Sequence, residues 1–280
     1  MQWDGPQPEG MQVRVVPVRG LTRTGRRASF VAWIGEQVSG NFDCVLGFNR
    51  MPGLDFYFAA DSCFAHKAWH ERHWLYRLAP RTRQYLRWER AVFGPHSSTQ
   101  TLLLSPQQRQ QYSACYATDP QRLIDLPPGI SREFQPPPDA SERRARLRTE
   151  LGLANDDLLV LQVGSGFRVK GVSRALQALA ALPAELARRV HYCQIGRGDS
   201  GALQQEAAAL GLQRLHWLGA RDDVARYMLA ADLLLHPSVQ ESAGMVLLEA
   251  MVSGLPVLTT ADCGYAFHVT RAGAGLVCDS

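Results

Sequence analysis

Glu241 and Glu249 bracket the segment ESAGMVLLE, which directly follows the apolar run and turn LLLHPSVQ. The small residues Ser242, Ala243 and Gly244 predict a helix start that a ligand can approach closely. The free N–H groups and partial positive charge of such a start favour anions. Glu241 then lies at the helix mouth. Glu249 falls two turns in, within an apolar stretch where an acid is costly to bury without a partner. Either acid alone is accounted for as a helix-terminal charge or a solvent-facing position. The pair at this spacing, beyond a strand's carboxyl end, points to sugar hydroxyls.

A second candidate is the loop Gly164-Ser165-Gly166-Phe167-Arg168-Val169-Lys170-Gly171, which follows LLVLQV. Its backbone amides and two cations suit a phosphate, and a solvated basic turn accounts for it equally well. It is not a Walker loop, since no G-K-[ST] follows the glycines. Gly196-Arg197-Gly198-Asp199 and Ala220-Arg221-Asp222-Asp223 read as turns of the same kind.

Short apolar runs bounded by Gly, Pro or Asp must position these loops: CVLGF (44–48), FYFAA (56–60), TLLLS (101–105), RLIDL (122–126), LLVLQVG (158–164), HYCQIG (191–196), LLLH (233–236) and PVLTT (256–260). Their length and Val/Ile/Leu content suit strands buried on both faces of a parallel sheet. Helical patterns separate the later ones, so the fold class is α/β, doubly wound. In such sheets ligands sit beyond the carboxyl ends of the strands, where both candidate loops fall.

At 280 residues and 46% hydrophobic, the chain can bury a large core in two lobes. No apolar run approaches the roughly 18–20 residues of a bilayer-spanning helix, and the N-terminus lacks the apolar core of a signal peptide. Six scattered cysteines without a C-x-x-C pair fit reduced thiols in a cytoplasmic protein. The segment LPPGISREFQPPPD, residues 126–139, is a proline-rich connection that continues neither helix nor central strand. A basic helix opened by Ser141 and Glu142 follows and stops at Gly152.

The stretch 66–93 carries seven Lys/Arg against two acids, an excess of five in a chain whose net charge is +4. If 82–93 is helical, Arg83, Arg87 and Arg90 share one arc and Tyr85, Trp88 and Val92 the opposite one, with Pro80 dividing the block. That pattern suits the headgroup layer of an anionic bilayer, or solvated arginines over inward-packed aromatics. No nucleic-acid reader motif is present. His66, His70 and His73 have a spacing found in metal sites, yet Glu71 is the one acid beside them, and no metal site is assigned.

The spacing of Glu241 and Glu249, together with ADLLLHPS, ESAGMVLLEAM and SGLPVLTT, resembles the family 4 retaining glycosyltransferases of GT-B architecture. GFNRMPGLDFYFAADSCF, LYRL, LPPGI, LQVGSGF and CGYA narrow the resemblance to the bacterial lipopolysaccharide core glucosyltransferases, from about Val15 to the end. It implies two Rossmann-like lobes, an acceptor- and membrane-facing one at 1–127 and a nucleotide-sugar-binding one at 128–280. Relatives begin with a further strand and glycine-rich turn and end with further sheet and helix, so both lobes are expected to be incomplete. The implied activity is transfer of a hexose, glucose foremost, from a UDP-sugar to the heptose of lipopolysaccharide inner core. The alternative is a truncated remnant that binds nucleotide or membrane without transferring sugar.

By the same resemblance Lys170 neutralises the donor diphosphate, with Arg168 as a second cation although the family arginine would stand at Val169. Glu249 holds the ribose hydroxyls and Glu241 contacts the transferred hexose. Gly164, Ser242, Ala243, Gly244 and Met245 line the sugar and pyrophosphate, and Arg221 flanks the uracil. Asp61, ending the strand of YFAAD, stands near the reacting sugar, making Asp61, Lys170 and Glu241 the catalytic set. Lys67, Arg77, Arg81, Arg83, Arg87, Arg90 and Trp88 are assigned to the membrane or to acceptor phosphates. Retention without an obligatory protein nucleophile is implied, as is a peripheral location on the cytoplasmic face of the inner membrane. Apart from the UDP-sugar substrate no cofactor is expected; in agreement, no Asp-x-Asp pair occurs to hold a divalent ion.

Overall fold

The computed structural model describes residues 9–38 and 40–279. Two compact units divide the chain, Met1–Leu126 and Pro127–Ser280, so the division opens the proline-rich segment 126–139.

The first unit holds a parallel sheet in the order β1 (Leu46–Gly47), β2 (Phe56–Phe58), β3 (Gln100–Leu103) and β4 (Leu123–Asp125). All four fall inside or at the edge of the apolar runs. Helices Pro80–Phe93 and Pro106–Tyr116 make the crossovers, each opened by a proline whose missing N–H costs nothing there. Their apolar faces stack Phe93 on Tyr112 with ring centroids 3.6 Å apart, over Tyr57, Val92 and Leu103. Arg122, read as the start of a strand, instead ends a 3-10 turn and is buried. Its guanidinium donates to the carbonyls of Val92 (3.0 Å), Phe93 (3.2 Å) and Gly94 (2.9 Å), satisfying the end of helix Pro80–Phe93. A helix over Arg23–Val38, opened by Thr22, whose hydroxyl accepts the Gly25 N–H at 3.0 Å, packs Phe30, Val31 and Ile34 onto this core.

The basic block is several elements. Short helical turns cover Phe64–His66, Lys67–Glu71 and Trp74–Leu78, and Pro80 then opens the long helix. Arg81, Arg83, Arg87 and Arg90 are exposed, whereas Trp88 is 7% exposed on the inward side. Its placement among the membrane-facing residues is therefore corrected: the arc that carries it packs inward, 5.5 Å from the Tyr85 ring. Arg77 is half-buried and donates to the carbonyls of Ala68 (3.2 Å) and Trp69 (3.3 Å), stapling two turns together.

The second unit holds six parallel strands in the order β10-β9-β8-β5-β6-β7: β5 Leu158–Val163, β6 Val190–Ile195, β7 Leu215–Gly219, β8 Leu233–His236, β9 Val257–Thr260 and β10 Gly275–Cys278. β7 and β10, the edges, lie outside the apolar runs because edge strands are half-exposed and lose the continuous hydrophobic signature. The chain winds from β5 outward through β6 to β7, then returns to lay β8 on the other side of β5. That reversal puts a topological switch point between β5 and β8, paired at Val160–Leu233 and Leu161–Leu234. The basic helix runs Ala140–Glu150 with Asp139 as its cap, so Ser141 lies inside it. Its Arg144 and Arg148 reach Asp232 at 2.5 and 2.9 Å, and Arg144 also bonds the carbonyls of Leu229, Ala230 and Ala231. These arginines cap a neighbouring helix end.

Candidate active site

The loops after β5 and β8 meet at the switch point. Gly171 adopts φ 70° to open helix Val172–Ala180, and a methyl group on it would lie 1.9 Å from the carbonyl oxygen of Pro237. Only glycine permits this approach. Val239 N–H and the Ser238 hydroxyl both donate to the Val169 carbonyl, at 2.9 and 3.0 Å. The two loops are thereby stitched together. Lys170 lays its methylenes over Gly164, where a Cβ would come 3.0 Å from Lys170 Cε.

This stitching brings the Lys170 ammonium onto Glu241 Oε1, while Glu241 Oε2 lies 2.7 Å from His236 Nε2. Burial pushes the Glu241 carboxyl up, but the hydrogen bond from His236 and then the bond and charge of Lys170 outweigh it and hold the group below the usual carboxylate range. Cys263 comes from a third loop. Its thiol, pushed up to about 12 by burial, stays protonated. Single atoms of His236, Glu241 and Cys263 lie within 4.8 Å of one another, a metal-like spacing. The Lys170 ammonium already neutralises the acid, and a protonated thiol is a poor ligand, so the cluster is organised as an ion-pair site.

Beyond Glu241 the backbone turns into helix Met245–Val252 through Gly244 at φ 92°. The amides of Ala243, Gly244 and Met245 donate to no carbonyl among the described residues. The third loop supports them from below: Tyr265 N–H donates to Ala243 O at 2.7 Å, Gly264 N–H to Glu241 O at 3.0 Å, and Glu241 N–H to Asp262 O at 3.1 Å. Three unbonded amides beside an ammonium make an anion cradle.

Glu249 is half-buried on the second turn, and its carboxylate makes no hydrogen bond or ion pair among the described residues. Burial, then the charge of Glu133, pushes its carboxyl above the usual range. A half-buried acid whose charged neighbour is another acid is poised to take a hydroxyl donor. Arg221, after β7, is held bidentately by Asp223 at 2.6 and 2.9 Å and lies 5.0 Å over the Tyr227 ring. Arg168 is exposed and borders a hollow of about 360 Å³ with Arg174 and Asp199, while Lys170 turns toward Glu241. The two cations of the loop therefore face different surroundings. Asp61 belongs to the first unit, exposed after β2, with Oδ2 3.3 Å from Arg50. Lys67 begins the turn Lys67–Glu71.

Sequence reasoning passed over His236, Cys263 and Asp262–Tyr265. His236 ends β8, so the carboxyl-end rule that singled out Glu241 also covered it; the third loop offered no charge or glycine pattern beyond CGYA.

A doubly wound parallel sheet with a cationic loop, an amide-lined helix start and two acids at its switch point defines the nucleotide-sugar half of a GT-B glycosyltransferase. The model of group 1 glycosyl transferases matches residues 143–280. The lipopolysaccharide glucosyltransferase WaaG of Escherichia coli K12 is 42% identical over 277 residues, 98% of this chain and 74% of that protein. The crystal structure of WaaG superimposes with a TM-score of 0.91 at 41% identity, over 99% of this chain and 76% of that one. The chain belongs to the WaaG family of glycosyltransferases. Anabaena HepE, solved with UDP and glucose, shares the fold at 21% identity and a TM-score of 0.69, over 93% of this chain and 70% of its own.

Proposed function

We propose that this glycosyltransferase moves glucose from UDP-glucose to the heptose of lipopolysaccharide inner core, with retention at the anomeric carbon. The observation that carries the reading is the Lys170–Glu241 contact beside the free amides of residues 243–245, at the switch point of a chain 42% identical to a lipopolysaccharide glucosyltransferase.

The chemistry follows from where charge develops. Breaking the bond between the sugar and UDP adds one negative charge to the diphosphate, on the oxygen that held the sugar. A preorganised ammonium and helix-start amides stabilise that charge more than they stabilise the intact donor, which lowers the barrier. Lys170 and the amides of Ala243–Met245 take this role, with Arg168 at the loop's outer side. Glu249 accepts from ribose hydroxyls, Glu241 from hydroxyls of the hexose, and Arg221 flanks the base. Asp61 is assigned a place near the reacting sugar. Front-face departure of UDP and attack by the heptose hydroxyl, whose proton passes to the departing phosphate oxygen, needs no protein nucleophile, and no divalent ion is assigned a part.

Peripheral attachment to the cytoplasmic face of the inner membrane belongs to the same reading. The exposed cations Arg81, Arg83, Arg87 and Arg90 and the exposed Trp74, Leu75 and Leu78 support it. No helix of the described residues is long and apolar enough to cross a membrane.

The test is incubation with UDP-glucose and lipopolysaccharide ending at the inner-core heptose, with and without EDTA. Alpha-linked glucose on heptose, unaffected by EDTA, is expected. Binding of UDP-glucose with no product would reduce the chain to a donor-binding protein, and an EDTA-sensitive reaction would overturn the metal-free mechanism.

A further inference from the structure

His236 ends β8 with no exposed surface, its carbonyl held by the Thr259 hydroxyl at 2.9 Å. Ring nitrogen Nε2 lies 2.7 Å from Glu241 Oε2. Glu241 is held ionised, and a carboxylate only accepts, so Nε2 carries the hydrogen of that bond. Nδ1 is buried with no partner among the described residues. A hydrogen there would be an orphaned donor, so Nδ1 bears the lone pair.

Glu241 is thus gripped by two unlike groups. Lys170 reaches it from a flexible four-carbon stem across two loops, whereas His236 is a rigid ring fixed at a strand end. An ammonium that serves the donor's diphosphate must turn away from the carboxylate when the donor arrives. Without a second donor the enclosed carboxylate would then follow the ammonium or lose its aim.

We infer that His236 is a positioning residue that keeps the Glu241 carboxylate directed at the transferred sugar while Lys170 is released to the diphosphate. This rests on the reading of Lys170 and Glu241 as donor-binding residues. The role discriminates between ligands: UDP without a sugar needs Lys170 but not the aim of Glu241, whereas UDP-glucose needs both. His236 therefore adds affinity for the sugar-bearing nucleotide alone.

Calorimetric titration of the unaltered protein, His236→Phe and His236→Gln with UDP and with UDP-glucose tests this. Glutamine places an amide N–H near the Nε2 position; phenylalanine fills the volume without a donor. The Phe variant is expected to weaken UDP-glucose about tenfold or more, as for loss of one hydrogen bond to a charged group, with UDP affinity held within about twofold. The Gln variant is expected to recover most of the loss. Equal affinities for UDP-glucose in all three proteins would make His236 ordinary core, and parallel losses of UDP and UDP-glucose in both variants would make its role structural. Should the Phe variant fail to fold, long-range 1H–15N spectra of the unaltered protein decide: an Nε2–H pattern for His236 with and without UDP-glucose is expected, and an Nδ1–H pattern overturns the inference. Failure of the unaltered protein to bind either nucleotide sinks the donor-site reading instead.

Discussion

Arg50 and Glu89 form an ion pair at 2.5 Å inside the first unit, with 9% and 0% of their side chains exposed. Glu89 also accepts the N–H groups of Phe64 (2.8 Å) and Ala65 (2.7 Å) and the Tyr116 hydroxyl (2.8 Å). Arg50 passes on to the Ser62 carbonyl at 3.0 Å and to Asp61 at 3.3 Å. One acid of the basic block thus fixes the start of the short helical run after β2 and, through Arg50, steadies Asp61.

Glu89→Leu should therefore destabilise the first unit severely. The substitution leaves a buried guanidinium without its enclosed counter-charge and the Phe64 and Ala65 N–H groups without an acceptor, a loss of about 3–5 kcal/mol for breaking an enclosed pair from one side. Urea unfolding measures it; a change below about 1 kcal/mol would mean the pair is not enclosed in solution.

Lys170→Ala is expected to lower kcat by about 10²–10³, the effect of removing one preorganised group from the developing charge. The structural cost is smaller, since His236 still bonds Glu241. A loss confined to KM would show that Lys170 binds donor and transition state alike.

Gly244→Ala meets two obstacles. Its φ of 92° is unfavourable for any side chain, and the new methyl would lie 2.2 Å from Cys263 Sγ. Cys263→Ala removes the clash but not the backbone strain, which amounts to about 1–2 kcal/mol. The double variant should regain part of the stability and donor binding lost in the single one. Full recovery would mean the backbone relaxes away from positive φ.

The central strands of the second unit were legible because they are buried on both faces, and the helices between them because of their apolar patterns; the edge strands β7 and β10 were not. The placement of Glu241 and Glu249 followed from the carboxyl-end rule. What stayed hidden depends on tertiary pairing. Glu89 counts as one more charge in a basic stretch until the fold sets Arg50 beside it. Trp88 belongs to an amphipathic pattern that fits a membrane or a core equally, and the core took it. His236 and Lys170 stand far apart in the chain, and only the reversal of strand order at β5 makes them partners of one carboxylate.

At the opposite end of that sheet, His191 lies 3.1 Å from His216 and 3.2 Å from Asp157, which also pairs with Arg214 at 3.0 Å. Burial lowers both imidazoles below their ordinary 6.5; for His191 the Asp157 charge opposes this, and for His216 the His191 charge adds to it. As pH falls below 6.5 the unfolded chain takes up these protons before the folded one does, so stability is full above that value and declines on acidification. Asp157, held below its ordinary 3.8 first by the Ala154 N–H, adds a further loss only in stronger acid. Urea midpoints at pH 8.0 and 5.5 should therefore differ, and His216→Gln should shrink the difference. A variant with the parent's full pH dependence would remove this pair as the cause.

The proposed membrane attachment assigns different parts to the exposed and the enclosed residues of the basic block. Trp74, Leu75 and Leu78 are at least half exposed, beside a helix whose outer face presents Arg81, Arg83 and Arg87. Each cation near an anionic surface contributes about 1 kcal/mol, so Arg83→Gln with Arg87→Gln should weaken binding to vesicles rich in phosphatidylglycerol about thirtyfold at low ionic strength. The effect should fade in high salt, because screening acts on those charges. Trp74→Ala should weaken binding with little dependence on salt, since an indole enters the headgroup layer through its apolar surface. Trp88→Phe should leave vesicle binding unchanged, its ring being packed inside. Co-sedimentation of the four proteins with such vesicles separates the terms, and equal loss from Trp74→Ala and Trp88→Phe would show that the block unfolds to meet the bilayer.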